Sequence, residues 1–261
     1  MTYLFENEGD VSYERIKYYD GEAKKYDTNR FNCDCNRIYD KIQKEIVYDY
    51  LRNCEYVLDA GTGTGRFAIY LAKKGIEVVA IDSSRGMISI AREKSKREGC
   101  ENKIQFIVGD IEHLPFKTEV FEGICSIFVL IHFTSRNQII SEFSRIIKER
   151  GVVVFDVPNK ILSRGYWMIM GVFGKTTFRD YHYDLGDIQN LFLTNSMKVV
   201  DRQCFVKMPR LIIHFFICVL RLTFLVKGVE KLERYNFGAT SIIRGIKINE
   251  DTTDNASVHS Q

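Results

Sequence analysis

The 261-residue sequence has no Cys-x-x-Cys pair, no tract rich in proline, glycine and serine, and no dense run of basic residues. Each gap excludes something. Seven cysteines, at 33, 35, 54, 100, 125, 204 and 218, form an odd set without metal-ligand spacing, and Cys125 falls inside an apolar strand-like segment. That pattern favours reduced thiols in a cytoplasm. Cys33 and Cys35 stand too close for an ordinary disulfide with each other. The five histidines are scattered, so no metal site is expected. A net charge of +3, spread along the chain, argues against a dedicated nucleic-acid binder. With 45% hydrophobic side chains and no dividing linker, the chain can bury one full core, and a single domain with appendages is expected. Met1 to Asp20 lacks the basic-then-apolar layout of a secretory signal, which points to a cytoplasmic location. No internal repeat occurs. The polar stretch from Asn249 to Gln261 is expected to be a disordered tail.

What the sequence does have is a turn suited to a nucleotide. Val57 to Ala60 is an apolar strand carrying Asp59, followed by Gly61-Thr62-Gly63-Thr64-Gly65 and an amphipathic stretch from Arg66. Glycines remove the Cβ atoms, so the backbone reaches φ values closed to other residues and a ligand can lie against the main chain. Dinucleotide enzymes use G-x-G-x-x-G, with the third glycine packing helix on strand. Here the third glycine falls at 65 and position 66 is Arg, which disfavours a nicotinamide cofactor. Ile76 to Asp82 reads as a buried parallel strand, short, β-branched and ending on a carboxylate able to accept both hydroxyls of a ribose. Asp59 and Asp82 could each cap a following helix. Two carboxylates ending successive parallel strands favour ligand contact instead, because the crevice of an open α/β sheet lies beyond the carboxyl ends of its strands. Arg66 is either a partner for Asp59 or a solvated surface charge.

Three more segments follow in order. Ile104 to Val108 leads into Gly109-Asp110-Ile111-Glu112-His113-Leu114-Pro115-Phe116, Val120 to Ser126 runs on through Ile127, Phe128 and Leu130 to His132, and Glu142 to Phe155 supplies a helix, a turn and a strand. Together with the G-x-G-x-G turn, these segments resemble the cofactor half of the class I S-adenosylmethionine-dependent methyltransferases, in the small-molecule branch with a type 11 methyltransferase domain. The likeness covers about 55 to 157, with Glu122 where the family usually has Asp. It implies an α/β, doubly wound, Rossmann-like fold with a seven-stranded, mostly parallel sheet, and S-adenosyl-L-methionine as cofactor. On the matched positions it places Asp59, Gly61, Thr62, Gly63 and Gly65 at the cofactor in the first turn. Asp82, Ser83 and Met87 follow from the second strand, then Asp110, Ile111, Ile127 and Phe128 from the third and fourth. Asp110 would accept the adenine amino group, and Ile111 would pack on the ring.

Upstream, Tyr13 to Arg30 and Arg37 to Asn53 read as helices, the second with Ile38, Ile42, Ile46, Val47, Tyr50 and Leu51 at helical spacing. The first contains Ala23-Lys24-Lys25-Tyr26-Asp27, which resembles the A-x-x-Y-D segment that closes over the cofactor in many of these enzymes. Tyr26 is then a lid residue whose π face attracts the sulfonium, an interfacial core aromatic, or both. The expected organisation is one methyltransferase domain over 1–248, with a helical lid (1–54), a cofactor core (55–157) and substrate-side excursions with the last strands (158–248).

Downstream, the chain leaves the common core twice, from Pro158 to Tyr183 and from Lys207 to Gly238. Between them, Asp184 to Asn195 reads as a helix and Met197 to Val206 as strand six, and Ala239 to Ile248 closes the sheet as strand seven. The apolar and aromatic character of the excursions favours a small, hydrophobic or amphipathic, lipid-like acceptor. The run from Leu211 to Val226 is shorter than the roughly 20 apolar residues of a membrane span and is interrupted by Arg221. Around 208–227 the preferred reading is a cap or homodimer contact. The alternative is a peripheral membrane helix with Arg210 and Lys227 toward lipid phosphates.

The implied chemistry is in-line displacement that carries a methyl group to an oxygen, nitrogen or carbon, accelerated chiefly by positioning. A hydroxyl acceptor would be helped by a base. His132, just past strand four, and His182, in the first excursion, are the candidate catalytic residues, with a core or helix-start histidine as the other reading of His132. A polyamine-synthase-like reading is disfavoured because Ser126-Ile127-Phe128-Val129 holds no acidic pair. A non-catalytic cofactor-binding or membrane-associated accessory protein is the remaining rival.

Overall fold

The computed structural model of the chain describes residues 8–31, 34–158, 185–205 and 240–248. Seven strands form one sheet: β1 (Tyr56–Ala60), β2 (Glu77–Asp82), β3 (Ile104–Val108), β4 (Phe121–Ser126), β5 (Ile147–Pro158), β6 (Met197–Phe205) and β7 (Thr240–Lys247). Their order is β3-β2-β1-β4-β5-β7-β6. Strands β1 to β5 pair in parallel, and β7 lies antiparallel between β5 and β6. The seven-stranded, mostly parallel sheet expected from the sequence is the one that forms.

The central strands are apolar at nearly every position because both faces of the sheet are covered. Side chains alternate between faces along a strand, so neighbours in sequence enter different cores. Leu58, Val79, Ile81 and Ile124 pack with Phe143 and Ile139 on one side, whereas Val57, Val78, Ala80 and Cys125 pack with Phe67, Leu71 and Leu51 on the other. The covering helices are α1 (Glu8–Arg30), α2 (Asp34–Leu51), α3 (Arg66–Lys73), α4 (Arg85–Arg97), α5 (Arg136–Ile146) and α6 (Leu185–Leu193). Helix α1 begins before the expected Tyr13, and α2 starts three residues before Arg37 and ends at Leu51, where the Cys54 N–H caps the Leu51 carbonyl at 2.9 Å.

Strand order also locates the crevice. The chain winds outward from β1 through β2 to β3, then returns to lay β4 on the opposite side of β1. Connections leaving β1 and β4 therefore diverge, and ligands of open α/β sheets bind at such a reversal. The two excursions after β5, with His182 in the first and the 208–227 run in the second, lie outside the described residues, as does the tail from 249. Among the described residues, no helix is long and apolar enough to cross a membrane.

Candidate active site

The site is built from the C-terminal ends of strands. After β1, Gly61, Gly63 and Gly65 have φ of +77°, +54° and +79°, a region that disfavours residues bearing a Cβ. The Gly61 and Thr62 N–H groups both donate to the Ile81 carbonyl, at 2.8 and 3.0 Å, which ties the turn to β2. A Cβ at Gly61 would stand 2.4 Å from Val129 Cγ2 and one at Gly65 would stand 3.0 Å from Ala91 Cβ, but at Gly63 it would meet nothing within 4 Å. Gly61 and Gly65 thus let the turn press against the segment after β4 and against α4. Gly63 leaves its main chain open on the cavity.

Asp59 takes a different part from the expected ligand contact. It is 2% exposed, and its Oδ2 accepts from Thr62 Oγ1 at 2.7 Å and from the Ala68 N–H at 2.9 Å. With that oxygen turned inward, the side chain braces the glycine turn against the first turn of α3 and does not line the cavity. Burial pushes its carboxyl up to about 6 in spite of those two bonds. Gly65 likewise serves packing and not the lining. Arg66 is not a solvated charge, and its field is the weakest of the influences on Asp59. Its Nε pairs with Asp40 at 2.5 Å, its Nη2 donates to Gln43, and its guanidinium lies 4.4 Å over the Phe67 ring. It is a largely buried cation held by α2, and it faces the cavity.

At the end of β2, Asp82 Oδ2 accepts from the Gly63 N–H at 2.8 Å and Oδ1 from the Ser84 N–H at 2.9 Å. Two of about four acceptor directions remain for a ligand. Burial raises its carboxyl above the usual range. Ser84 in turn caps α4 by accepting from the Met87 N–H at 3.0 Å, which fixes Ser83 and Met87 on the cavity wall. After β3, Asp110 Oδ1 accepts from the Glu112 N–H at 2.9 Å, which folds the loop so that Asp110 and the buried Ile111 face the same space. After β4 come Ile127 and Phe128, the latter at φ +62° with its N–H donating to Asp156 Oδ1 at 2.6 Å. His132 ends a short turn from Leu130, its Nε2 3.2 Å from Tyr19 Oη and its carbonyl accepting from Arg15 Nη1 at 2.6 Å. Burial, followed by the nearby Arg15 and Arg30 charges, pulls its imidazole down to about 4. The ring is therefore neutral at physiological pH.

Helix α1 roofs this space. Asp20 Oδ1 accepts from Ser84 Oγ at 2.5 Å and from the Gly86 N–H at 2.8 Å, at the start of α4. About two turns later, Asp27 accepts from Thr64 Oγ1 at 2.7 Å and pairs with Lys94 at 2.6 Å. Between these fastenings, Tyr26 meets Tyr19 edge-on at 6.2 Å and its Oη accepts from Arg30 Nη1 at 2.7 Å. The cavity beneath α1 measures about 160 Å³ and brings together Tyr26, Thr62, Gly63, Asp82, Asp110, Phe128 and His132.

Sequence reasoning missed Arg15, Tyr19, Arg30 and Asp156. A signal for Asp156 was present, since Val152 to Phe155 runs into it as the apolar strand before it runs into Asp82. Glu122, at the far end of β4, accepts from the Glu55 N–H at 2.7 Å, which confirms that the departure from Asp lies outside the pocket.

Residues 58–155 match the family model described as a methyltransferase domain. Over that stretch the chain is similar to methyltransferase domains. The chain is similar to a demethylmenaquinone methyltransferase of Thermotoga maritima, 36% identical over 146 residues, which is 53% of this chain and 59% of that protein. It is also similar to a methyltransferase of Streptomyces halstedii, 35% identical over 96 residues, 36% of this chain and 34% of that one. The matches thus span less than two thirds of these relatives' length. Among solved structures, a magnesium protoporphyrin IX methyltransferase of Synechocystis with bound S-adenosylmethionine shares the fold, at a TM-score of 0.63 and 15% identity, over 94% of this chain and 100% of that one. The match to the methyltransferase domain takes in β1 to β5 and leaves the α1 roof outside it.

Proposed function

We propose that the protein is an S-adenosylmethionine-dependent methyltransferase acting on a small hydrophobic or amphipathic acceptor. The observation that carries this reading is the bare Gly63 main chain between the acidic tips Asp82 and Asp110. Those groups match an adenosyl unit: Asp82 has acceptor capacity for two hydroxyls, Asp110 for an exocyclic amine, and Ile111 an apolar face for a ring. Tyr19, Tyr26 and Phe128 line the same cavity with π faces, which favour a sulfonium. When bound, S-adenosylmethionine supplies an electrophilic methyl group for in-line displacement.

The chain's residues then hold the reactants in line and exclude water under α1, which is where most of the acceleration of such a displacement arises. His132 is the candidate proton acceptor, oriented by Tyr19. A ring held at about 4 is a weak base. It suits a proton that becomes strongly acidic once the methyl group has arrived on a hydroxyl oxygen, and neither an ammonium proton nor the prior ionisation of an unactivated alcohol. Phe133 and Ile16 extend the apolar lining beyond His132. His182 and the 208–227 run would complete the acceptor side, as cap, dimer contact or membrane-surface helix.

Isothermal titration with S-adenosylmethionine and S-adenosylhomocysteine tests the reading. Micromolar binding that Asp82→Ala weakens by about a hundredfold is expected, and absence of heat from both compounds rules it out. A screen of labelled methyl transfer to hydrophobic acceptors then asks whether His132→Gln lowers kcat with donor affinity unchanged.

A further inference from the structure

The tips of β4 and β5 hold an arrangement that donor binding alone does not account for. Phe128 is a bulky aromatic at φ +62°, backbone that such residues avoid. Its ring carries the Arg30 guanidinium 4.4 Å from the centroid and the Arg66 guanidinium at 5.7 Å. Those two cations, from α1 and α3, repel each other across the ring. Asp156 stands behind all three. It is 2% exposed and does not line the cavity, its Oδ1 accepts the Phe128 N–H at 2.6 Å, and the charged or titratable groups that face it are Arg30, Arg66 and Cys125 of β4.

We propose that Asp156 is a positioning residue that holds Phe128 in its left-handed conformation and keeps Arg30 and Arg66 together on the cavity wall, so that its charge sets donor affinity without touching the donor. This rests on the proposed function. Losing the hydrogen bond frees Phe128 to relax to negative φ, and Val129 moves with it. Val129 packs on Gly61, so the glycine turn loses its backing. Losing the charge removes the buried anion that faces both guanidinium groups and leaves Arg66 to Asp40 alone. Asp156 is pushed up to about 6 by burial, opposed by the Phe128 N–H and the two arginines, so its charge is held only weakly.

The test is calorimetric titration of the full chain with S-adenosylhomocysteine at about pH 7.5 and about pH 5.5. Asp156→Asn keeps an oxygen for the Phe128 N–H and removes the charge. Its affinity is expected to be about tenfold below wild type at the higher pH. The further loss on acidification should be smaller than in wild type, because Asp156 no longer contributes to it. Unliganded melting temperatures should not fall, since the amide also removes the burial cost of the charge. Equal affinities overturn the proposal, and so does a weakened variant that keeps the wild-type ratio between the two pH values, since that is the mark of a purely structural part. Should Asp156→Asn not fold, Phe128→Gly takes its place: glycine accepts the backbone and removes the ring, so affinity falls about tenfold at constant melting temperature, and unchanged affinity overturns the proposal. A wild-type chain that does not bind the probe removes the proposed function itself, and this inference with it.

Discussion

At the scale of single residues, Gly61 and His132 carry opposite kinds of constraint. Gly61→Ala meets two penalties, a left-handed backbone and a Cβ placed 2.4 Å from Val129 Cγ2. A loss of about 2–4 kcal/mol is expected in urea unfolding, together with loss of donor binding in calorimetry. For His132, burial favours the neutral ring, so its folded value of about 4 lies below the ordinary 6.5. The stability this contributes is present above pH 6.5 and is lost as pH falls toward 4. Asp59 and Asp156, raised from 3.8 to about 6 by burial, act the other way: they cost stability above pH 6, and the cost disappears as pH falls through 6 toward 4. Wild type therefore has opposing slopes between about pH 4 and 6.5. His132→Gln removes the descending one, and its melting temperature should rise on acidification across that window more than that of wild type, as a pH series of thermal melts would register.

At the scale of elements, α1 behaves as a fastened roof. Asp27→Ala removes the Thr64 hydrogen bond and the Lys94 ion pair together. Because the pair is partly exposed, global stability should change by less than about 1 kcal/mol. The loosened helix should be cut faster by protease between 8 and 30, and S-adenosylhomocysteine should dissociate faster in stopped flow. Such fastenings are what the sequence hid. The strands and their acidic tips were legible because β-branched runs ending on Asp82, or turning at Gly61 and Gly109, are local patterns. The pairs Asp20 with Ser84, Asp27 with Lys94 and Asp156 with Phe128 join positions 64, 67 and 28 apart, and no local periodicity marks them. Asp59 marks another limit of local pattern. Its end-of-strand position announces the turn but not whether the carboxylate faces ligand or backbone.

For the whole molecule, folding and binding can be separated, since the sheet continues well past the crevice. Gly245 of β7 pairs with Val153 of β5 and Val199 of β6, and a Cβ there would stand 2.2 Å from the Phe192 ring of α6. Gly245→Ala should cost about 1–3 kcal/mol in equilibrium unfolding by overpacking. The residue lies away from the cavity, so at temperatures where the variant stays folded the donor's dissociation constant should match that of wild type.

A helix that bars the mouth of its own binding chamber also decides what sets the pace. Any wider opening of that mouth works against acidic pins seated in two neighbouring segments. Under the proposed function, passage of the donor should then keep the tempo of a door.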